Sequence, residues 1–121
     1  MITHVKFVSI PTSNQDRALA FYTEKLGFKV VTDQPFNETH RWIELRIASS
    51  ETRFVLFGMD AAMMKEGGQF NGALACDNLD KTYEELKAKG VEFPAPPTKQ
   101  PWGAFAVLKD PDGNQFVLST K

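Results

Sequence analysis

Apolar positions along this 121-residue chain change their period in a fixed order, and that order occurs twice. Ile2–Ile10 alternates and is rich in β-formers, which predicts a strand. Thr12, Ser13 or Asn14 can cap the helix that follows. In it, Ala18, Leu19, Tyr22 and Leu26 recur at helical spacing and make one apolar stripe. Gly27 stands where a helix C-terminus favours a residue free to turn left-handed. Phe28–Thr32, Arg41–Ile47 and Thr52–Phe57 then predict three strands. Residues 59–69 break the pattern, and Gly67-Gly68 marks them as a linker.

The second round follows the same plan. Ala73–Cys76 predicts a strand, Asp77 or Asn78 a cap, and Leu79, Tyr83 and Leu86 the apolar stripe of a second helix that stops at Gly90. A short strand is predicted at Val91–Phe93, before Pro94, Pro96 and Pro97, whose missing N–H groups exclude a central strand there. Gly103–Leu108 and Gln115–Ser119 form the last pair. Asp110-Pro111-Asp112-Gly113-Asn114 between them predicts a tight turn that joins strands and carries no chemistry. The chain thus divides into a module at 1–58, a linker at 59–70 and a module at 71–121. Neither half could bury a sufficient core alone, so the two are expected to pack as one domain.

Composition narrows the function classes. The chain is 42% hydrophobic and 24% charged, ordinary for a globular domain. Its net charge is −1, from 14 basic and 15 acidic residues with no basic stripe, so no nucleic-acid partner is expected. The first residues lack the pattern of a signal peptide, and no apolar run has membrane-spanning length, so the expectation is a cytoplasmic protein without a membrane partner. Cys76 is the single cysteine, on the helix-facing side of its strand, which favours burial over reactivity. No phosphate-binding glycine loop, hydrolase elbow or zinc-type cysteine spacing is present.

Three stretches together resemble the glyoxalase, bleomycin-resistance and extradiol-dioxygenase superfamily, also called vicinal oxygen chelate. One is His4-Val5 followed by Arg17-Ala18-Leu19-Ala20-Phe21-Tyr22-Thr23-Glu24-Lys25-Leu26-Gly27-Phe28. Another is Asp77 before Tyr83-Glu84-Glu85-Leu86-Lys87-Ala88-Lys89-Gly90-Val91. The third is Trp102-Gly103, then Asp110 to Asn114 with Phe116-Val117-Leu118. Each is weak alone; in this order, over essentially the whole chain, they are specific. The resemblance implies an α+β fold of paired βαβββ modules, an open eight-stranded half-barrel around a cavity, and a homodimer. Metal-dependent members place one ligand on each of four strands, usually two His and two carboxylates.

Carried over, those positions fall on His4, Leu56, Asn71 (or its neighbour Gly72) and Val117. Only His4 is a good donor, and catalytic zinc keeps about three protein ligands while harder ions want more oxygens. No metal and no other cofactor is therefore expected. Strand alternation extends the prediction to the hollow's lining. With His4 come Lys6 and Val8, leaving Val5 and Phe7 under a helix. Ile43, Leu45 and Ile47 form an oily face, so His40, Trp42, Glu44 and Arg46 turn to the hollow. Phe54 accompanies Leu56, Ala73 accompanies Asn71, and Gln115 and Ser119 accompany Val117. Trp102 is placed at the rim.

Apolar walls with a few polar groups describe a small-molecule site. His4 can be read as a ligand-contacting base or donor, a metal ligand or a structural histidine, and Glu44 as a base or as an ion-pair partner of Lys6 or Arg46. Trp42 and Trp102 suit either ligand walls or a dimer interface. The expected function is metal-independent binding of a hydrophobic or amphipathic small molecule by a homodimer, as in the family's drug-sequestering members. The alternatives are a metal-dependent lyase or isomerase of the lactoylglutathione-lyase type, a metal-free enzyme using His4 or Glu44, and iron dioxygenase chemistry, whose two-His-one-carboxylate set is missing.

Overall fold

The computed structural model describes residues 1–48, 50–60 and 70–120. Among these residues eight strands make two four-stranded sheets, accompanied by two helical segments. The first sheet holds β1 (Phe7–Thr12), β2 (Lys29–Pro35), β3 (Arg41–Arg46) and β4 (Arg53–Gly58), in the order β1-β4-β3-β2. The second holds β5 (Asn71–Cys76), β6 (Thr98–Gln100), β7 (Gly103–Lys109) and β8 (Gln115–Thr120), in the order β5-β8-β7-β6. Each sheet pairs its first strand with its last in parallel and the rest antiparallel. The repeat in sequence is a repeat in topology. The sheets are not closed into a barrel.

Parallel pairing needs a crossover, and a helix supplies it in each half. α1 (Gln15–Ala20) runs on into a wider π turn at Phe21–Lys25, where the Leu26 N–H donates to the Phe21 carbonyl at 3.3 Å. α2 spans Leu79–Ala88. The caps are Asn14 and Asn78, each extended, whose side-chain oxygens accept from the N–H groups of Arg17 (3.0 Å) and Lys81 (3.1 Å). An asparagine there satisfies one of the orphan donors that every helix start exposes. Gly27, at φ 79°, then turns the chain sharply into β2.

One hydrophobic core serves both halves. Ile10, Ile43, Leu45, Phe54 and Leu56 from the first sheet join Ala106, Leu108, Phe116 and Leu118 from the second, around Phe21, Tyr22, Phe28 and Leu79. Phe54 stacks on Phe116 at 5.9 Å across the boundary, and the Tyr22 ring touches Phe28, Phe54 and Phe116. The helix-facing side of each sheet therefore completes the other's core, the physical reason the modules come as a pair.

The Asp110–Asn114 turn is more than a connector, against the expectation from sequence. Asp110 is buried and accepts from the Tyr22 hydroxyl (2.6 Å), from the Asp112 and Asn114 N–H groups (2.9 Å each) and from the Asn114 amide (2.7 Å). Asn114 also donates to the Pro11 carbonyl at 2.9 Å. The Asp112 carboxylate takes the Thr12 hydroxyl (2.6 Å), the Ser13 N–H and hydroxyl (3.0 Å each) and Arg17 (2.7 Å). These bonds lash the turn of the second module to the β1–α1 corner of the first.

Two boundaries differ from expectation. Val91–Phe93 forms no strand; Glu92 makes only an isolated bridge with Lys109, and β6 forms beyond the prolines at Thr98–Gln100. Proline cannot donate to a ladder, so pairing resumes only once the chain has passed Pro97. The first strand starts at Phe7 rather than Ile2, and residues 1–6 are exposed. Of the linker at 59–70, residues 61–69 lie outside the described residues, as does Lys121 at the end of the second module. Among the described residues no helix is long and apolar enough to cross a membrane.

Candidate functional site

Strand register decides which side chains face away from the core, because neighbours on paired strands share a face. In the first sheet Phe7 pairs with Arg53, Ser9 with Val55, and Glu44 with Val55, while Ile10 pairs with Leu56 and Leu45 with Phe54. The outer face is therefore Phe7, Ser9, Trp42, Glu44, Arg46, Arg53, Val55 and Phe57. In the second sheet the buried Phe116 and Leu118 alternate with Gln115, Val117 and Ser119, which share the outer face with Asn71, Phe105, Val107 and Lys109.

This register corrects three residues expected to line the hollow. Phe54 and Leu56 point the other way, into the shared core, with Leu56 fully buried. Val8 likewise packs against the core, while Phe7, expected beneath a helix, is on the outer face. The cause is a one-residue difference in parity: on parallel β1 and β4 the inward pairs are Val8 with Phe54 and Ile10 with Leu56. His4 and Lys6 precede β1 and are exposed; the His4 Nδ1 lies 3.0 Å from the Thr3 hydroxyl and 3.7 Å from Glu51. Trp42, Glu44, Arg46, Asn71 and Val117 lie on the outer faces. Trp102 precedes β7, 76% exposed, its ring stacked on Phe105 at 6.1 Å and 5°.

At the centre of the first outer face is a fixed constellation. The Trp42 Nε1–H donates to Glu44 Oε1 at 3.2 Å, and Arg53 Nε lies 3.6 Å from Glu44 Oε2. The Phe7 ring meets Trp42 edge-on at 5.6 Å, and Phe36 lies over it at 6.1 Å. Glu44 thus has its two oxygens engaged by an indole and a guanidinium, not by Lys6 or Arg46 as the sequence suggested. Its role here is to hold Trp42. Phe7, Phe36, Phe57 and Arg53 were missed in the sequence; anchoring the alternation of the first strand on Ile10 instead of His4 finds Phe7.

Among the described residues, two apolar hollows open on these faces. The smaller, about 80 Å³, is walled by Phe36, Trp42, Val55 and Phe57, with the His40 ring packed over Gly58 at its edge. The larger, about 380 Å³, lies on the second sheet between the Pro94-Ala95-Pro96 segment and Phe105, Val107, Lys109 and Gln115. They share no lining residue. A third, polar recess of about 220 Å³ lies where α1 begins, and its groups largely satisfy one another: Gln15 donates to the carbonyls of Arg41 (2.7 Å) and Leu56 (2.9 Å), and Arg41 pairs with Asp16 (2.6 Å) and Asp33 (3.0 Å).

The four strands that carry metal ligands in the resembled family offer poor donors here. Their outward positions are Phe7 on β1, Val55 or Phe57 on β4, Asn71 on β5 and Val117 on β8. A divalent ion needs imidazole, thiolate or several oxygens, and these residues supply one neutral amide. Among the described residues no group of three or more His, Cys, Asp or Glu could hold a metal ion. The residues present do not fit a metal centre. Burial pushes the Cys76 thiol above its ordinary range.

Comparison with known proteins agrees with the fold. The family model described as Glyoxalase/Bleomycin resistance protein/Dioxygenase superfamily matches residues 2–118. The uncharacterized protein YetH of Bacillus subtilis (strain 168) is 37% identical over 120 residues, 98% of each chain. The crystal structure of UcmS2 superposes with a TM-score of 0.88 at 35% identity over 100% of both chains. That of TnmS3, an antibiotic binding protein from Streptomyces sp. CB03234, superposes with a TM-score of 0.82 at 31% identity, over 98% of this chain and 96% of that one.

Proposed function

Because the chain belongs to the glyoxalase/bleomycin resistance protein/dioxygenase superfamily, we propose that it is a metal-independent small-molecule-binding protein that acts as a homodimer. One observation carries this reading. The outward positions where metal-dependent members hold their ion are Phe7, Val55 or Phe57, Asn71 and Val117, and the same faces carry two aromatic-walled hollows. Of these, Val55 and Phe57 wall the smaller hollow, and side chains of this kind suit an apolar or amphipathic guest. The likeness to an antibiotic-binding protein at 31% identity supports the same class of ligand.

The way the core is spent supports the dimer in this reading. Within one chain the inner faces of both sheets meet at Phe54 and Phe116, so the outer faces open away from that shared core as two shallow half-sites. A drug-sized ligand binds in a cleft that buries most of its surface. Placing the first outer face of one copy against the second outer face of another closes such a cleft and covers Phe7, Phe57 and Val117, which are exposed in the single chain.

A lyase of the lactoylglutathione type would need metal donors that these faces do not carry. A metal-free base chemistry would need a free carboxylate or imidazole over the site, and Glu44 is tied to Trp42 and Arg53. The test is a thermal-shift screen of divalent metals and amphipathic compounds, since a ligand that binds only the folded state raises its Tm with occupancy. The reading requires shifts from compounds in the presence of chelator and none from metals alone. Stoichiometric metal bound to the purified protein and lost in His4→Ala contradicts it.

A further inference from the structure

Resting on the reading that the first outer face takes a small guest, we propose that His40 is a movable partition. Its withdrawal from Gly58 joins the smaller hollow to the polar recess as one site, for an amine with a compact apolar body. Size makes the partition matter. The hollow is about 80 Å³ and the recess about 220 Å³, and His40, Arg41 and Gly58 line both. Neither holds a ligand-sized molecule alone, whereas the two joined reach the range of small-molecule sites, which begins at about 300 Å³. One end of the joined site is apolar, at Phe36, Trp42 and Phe57, and the other polar, at Ser13, Asp16 and Thr39.

The gap behind His40 is built into the sheet. β3 and β4 pair at Glu44–Val55 and Leu45–Phe54, but farther along the Gln15 amide takes the place of the ladder. It accepts from the Arg41 N–H at 2.9 Å and donates to the carbonyls of Arg41 (2.7 Å) and Leu56 (2.9 Å). Beside this gap the His40 ring lies so close on Gly58 that a Cβ there would collide with it, so only glycine gives the ring its seat. The His40 backbone is anchored. Its N–H donates to the Asn37 side-chain oxygen at 2.8 Å, and its carbonyl accepts from the N–H groups of Phe36 (3.0 Å) and Asn37 (3.2 Å). The ring is not anchored in this way. Among the described residues its hydrogen bond is to the neighbouring Thr39 hydroxyl, at 3.3 Å, so it can change rotamer without disturbing the turn.

Charge selects the head group. The Arg41 guanidinium lines the recess, and its donors are already engaged by carboxylates: Nη1 by Asp16 at 2.6 Å, and Nε and Nη2 by Asp33 at 3.0 and 3.3 Å. Two acids against one guanidinium leave a negative charge beside the recess, which attracts a cation and repels a carboxylate. The preference is modest, because the Asp16 side chain is 84% exposed and water screens it.

The experiment titrates the full chain, in chelator, with cyclohexylmethylamine, cyclohexylmethanol and cyclohexanecarboxylate, followed by NMR. The chain has two histidines, so the ring signals of the exposed His4 serve as the control for those of His40. In the free protein a nuclear Overhauser contact is expected between the His40 ring and the Gly58 α-protons. Saturating amine should abolish it and shift the His40 signals but not those of His4. The amine is expected to bind about two- to fivefold more tightly than the alcohol, with the acid weakest, and Asp16→Asn should remove that advantage. His40→Ala should tighten amine binding by at least about twofold, because no ring has to be displaced. A contact that persists at saturation, an alcohol that binds as well as the amine, or a His40→Ala protein that binds no more tightly overturns the proposal while leaving small-molecule binding intact. Binding by none of the three while other amphipathic compounds still raise the Tm also overturns it alone. Failure of every compound overturns the underlying reading as well.

Discussion

Tyr22 is the residue on which the two halves close. Its ring is buried among Phe28, Phe54 and Phe116, and its hydroxyl donates to Asp110 at 2.6 Å. Tyr22→Phe should therefore cost about 1–3 kcal/mol in urea denaturation, because the buried carboxylate loses a donor that no water replaces. The same residue sets an alkaline limit. Burial first, and then the charge of Asp110, push the phenol above its ordinary value. A folded-state pKa raised above the unfolded one contributes stability below about pH 10 that is lost as pH rises past it, at up to about 1.4 kcal/mol per pH unit. Stability measured from pH 9 to 11 should fall in the parent protein and fall less steeply in Tyr22→Phe. Equal slopes contradict the assignment. On the outer face, Glu44→Ala in a Trp102→Phe background should lower the fluorescence anisotropy of Trp42 and weaken ligand binding, with little change in stability because the carboxylate is partly solvated.

At the scale of elements the caps and the alternation carry the argument. Asn14→Ala and Asn78→Ala should each cost about 1 kcal/mol, read as a shift of the denaturation midpoint without a change of slope. Gly27→Ala meets no neighbouring atom, so its expected cost of about 1–2 kcal/mol is the backbone's alone, from forcing a Cβ at φ 79°. Both helices, their glycine stops and the inward trio Ile43, Leu45 and Ile47 were legible in the chain, since local periodicity records which side meets the core. What local pattern did not record is phase. Val8 and Ile10 on β1, and Phe54 and Leu56 on β4, are apolar on the core side, but Phe7, Val55 and Phe57 are apolar on the other side too. A strand oily on both faces gives no alternation from which to choose. On the proposed reading that ambiguity is the trace of the site, because a sheet face left to water would have been polar there. The polar seam of Asp110 and Asp112 was illegible for a different reason: it joins residues about a hundred positions apart, and its turn chemistry already explains the motif locally.

For the whole molecule the repeat explains both the fold and the open faces. Two βαβββ units pool their inner faces into one core and leave two outer faces, each with aromatic rings and neither, among the described residues, with a metal-binding donor set. The family's fold is present, and the outward positions on β1, β4, β5 and β8 include Phe7, Val55, Phe57, Asn71 and Val117. On the proposed reading two copies turn the half-sites into a cleft, so ligand and dimer are expected together, with affinity rising as chain concentration favours association. Native mass spectrometry of chelator-treated protein with an amphipathic compound that raises the Tm reads subunit number, ligand and metal in one spectrum. The account predicts a two-chain species that carries the compound and no metal. Compound bound to a lone chain, or compound that appears on the protein only after zinc is restored, contradicts it.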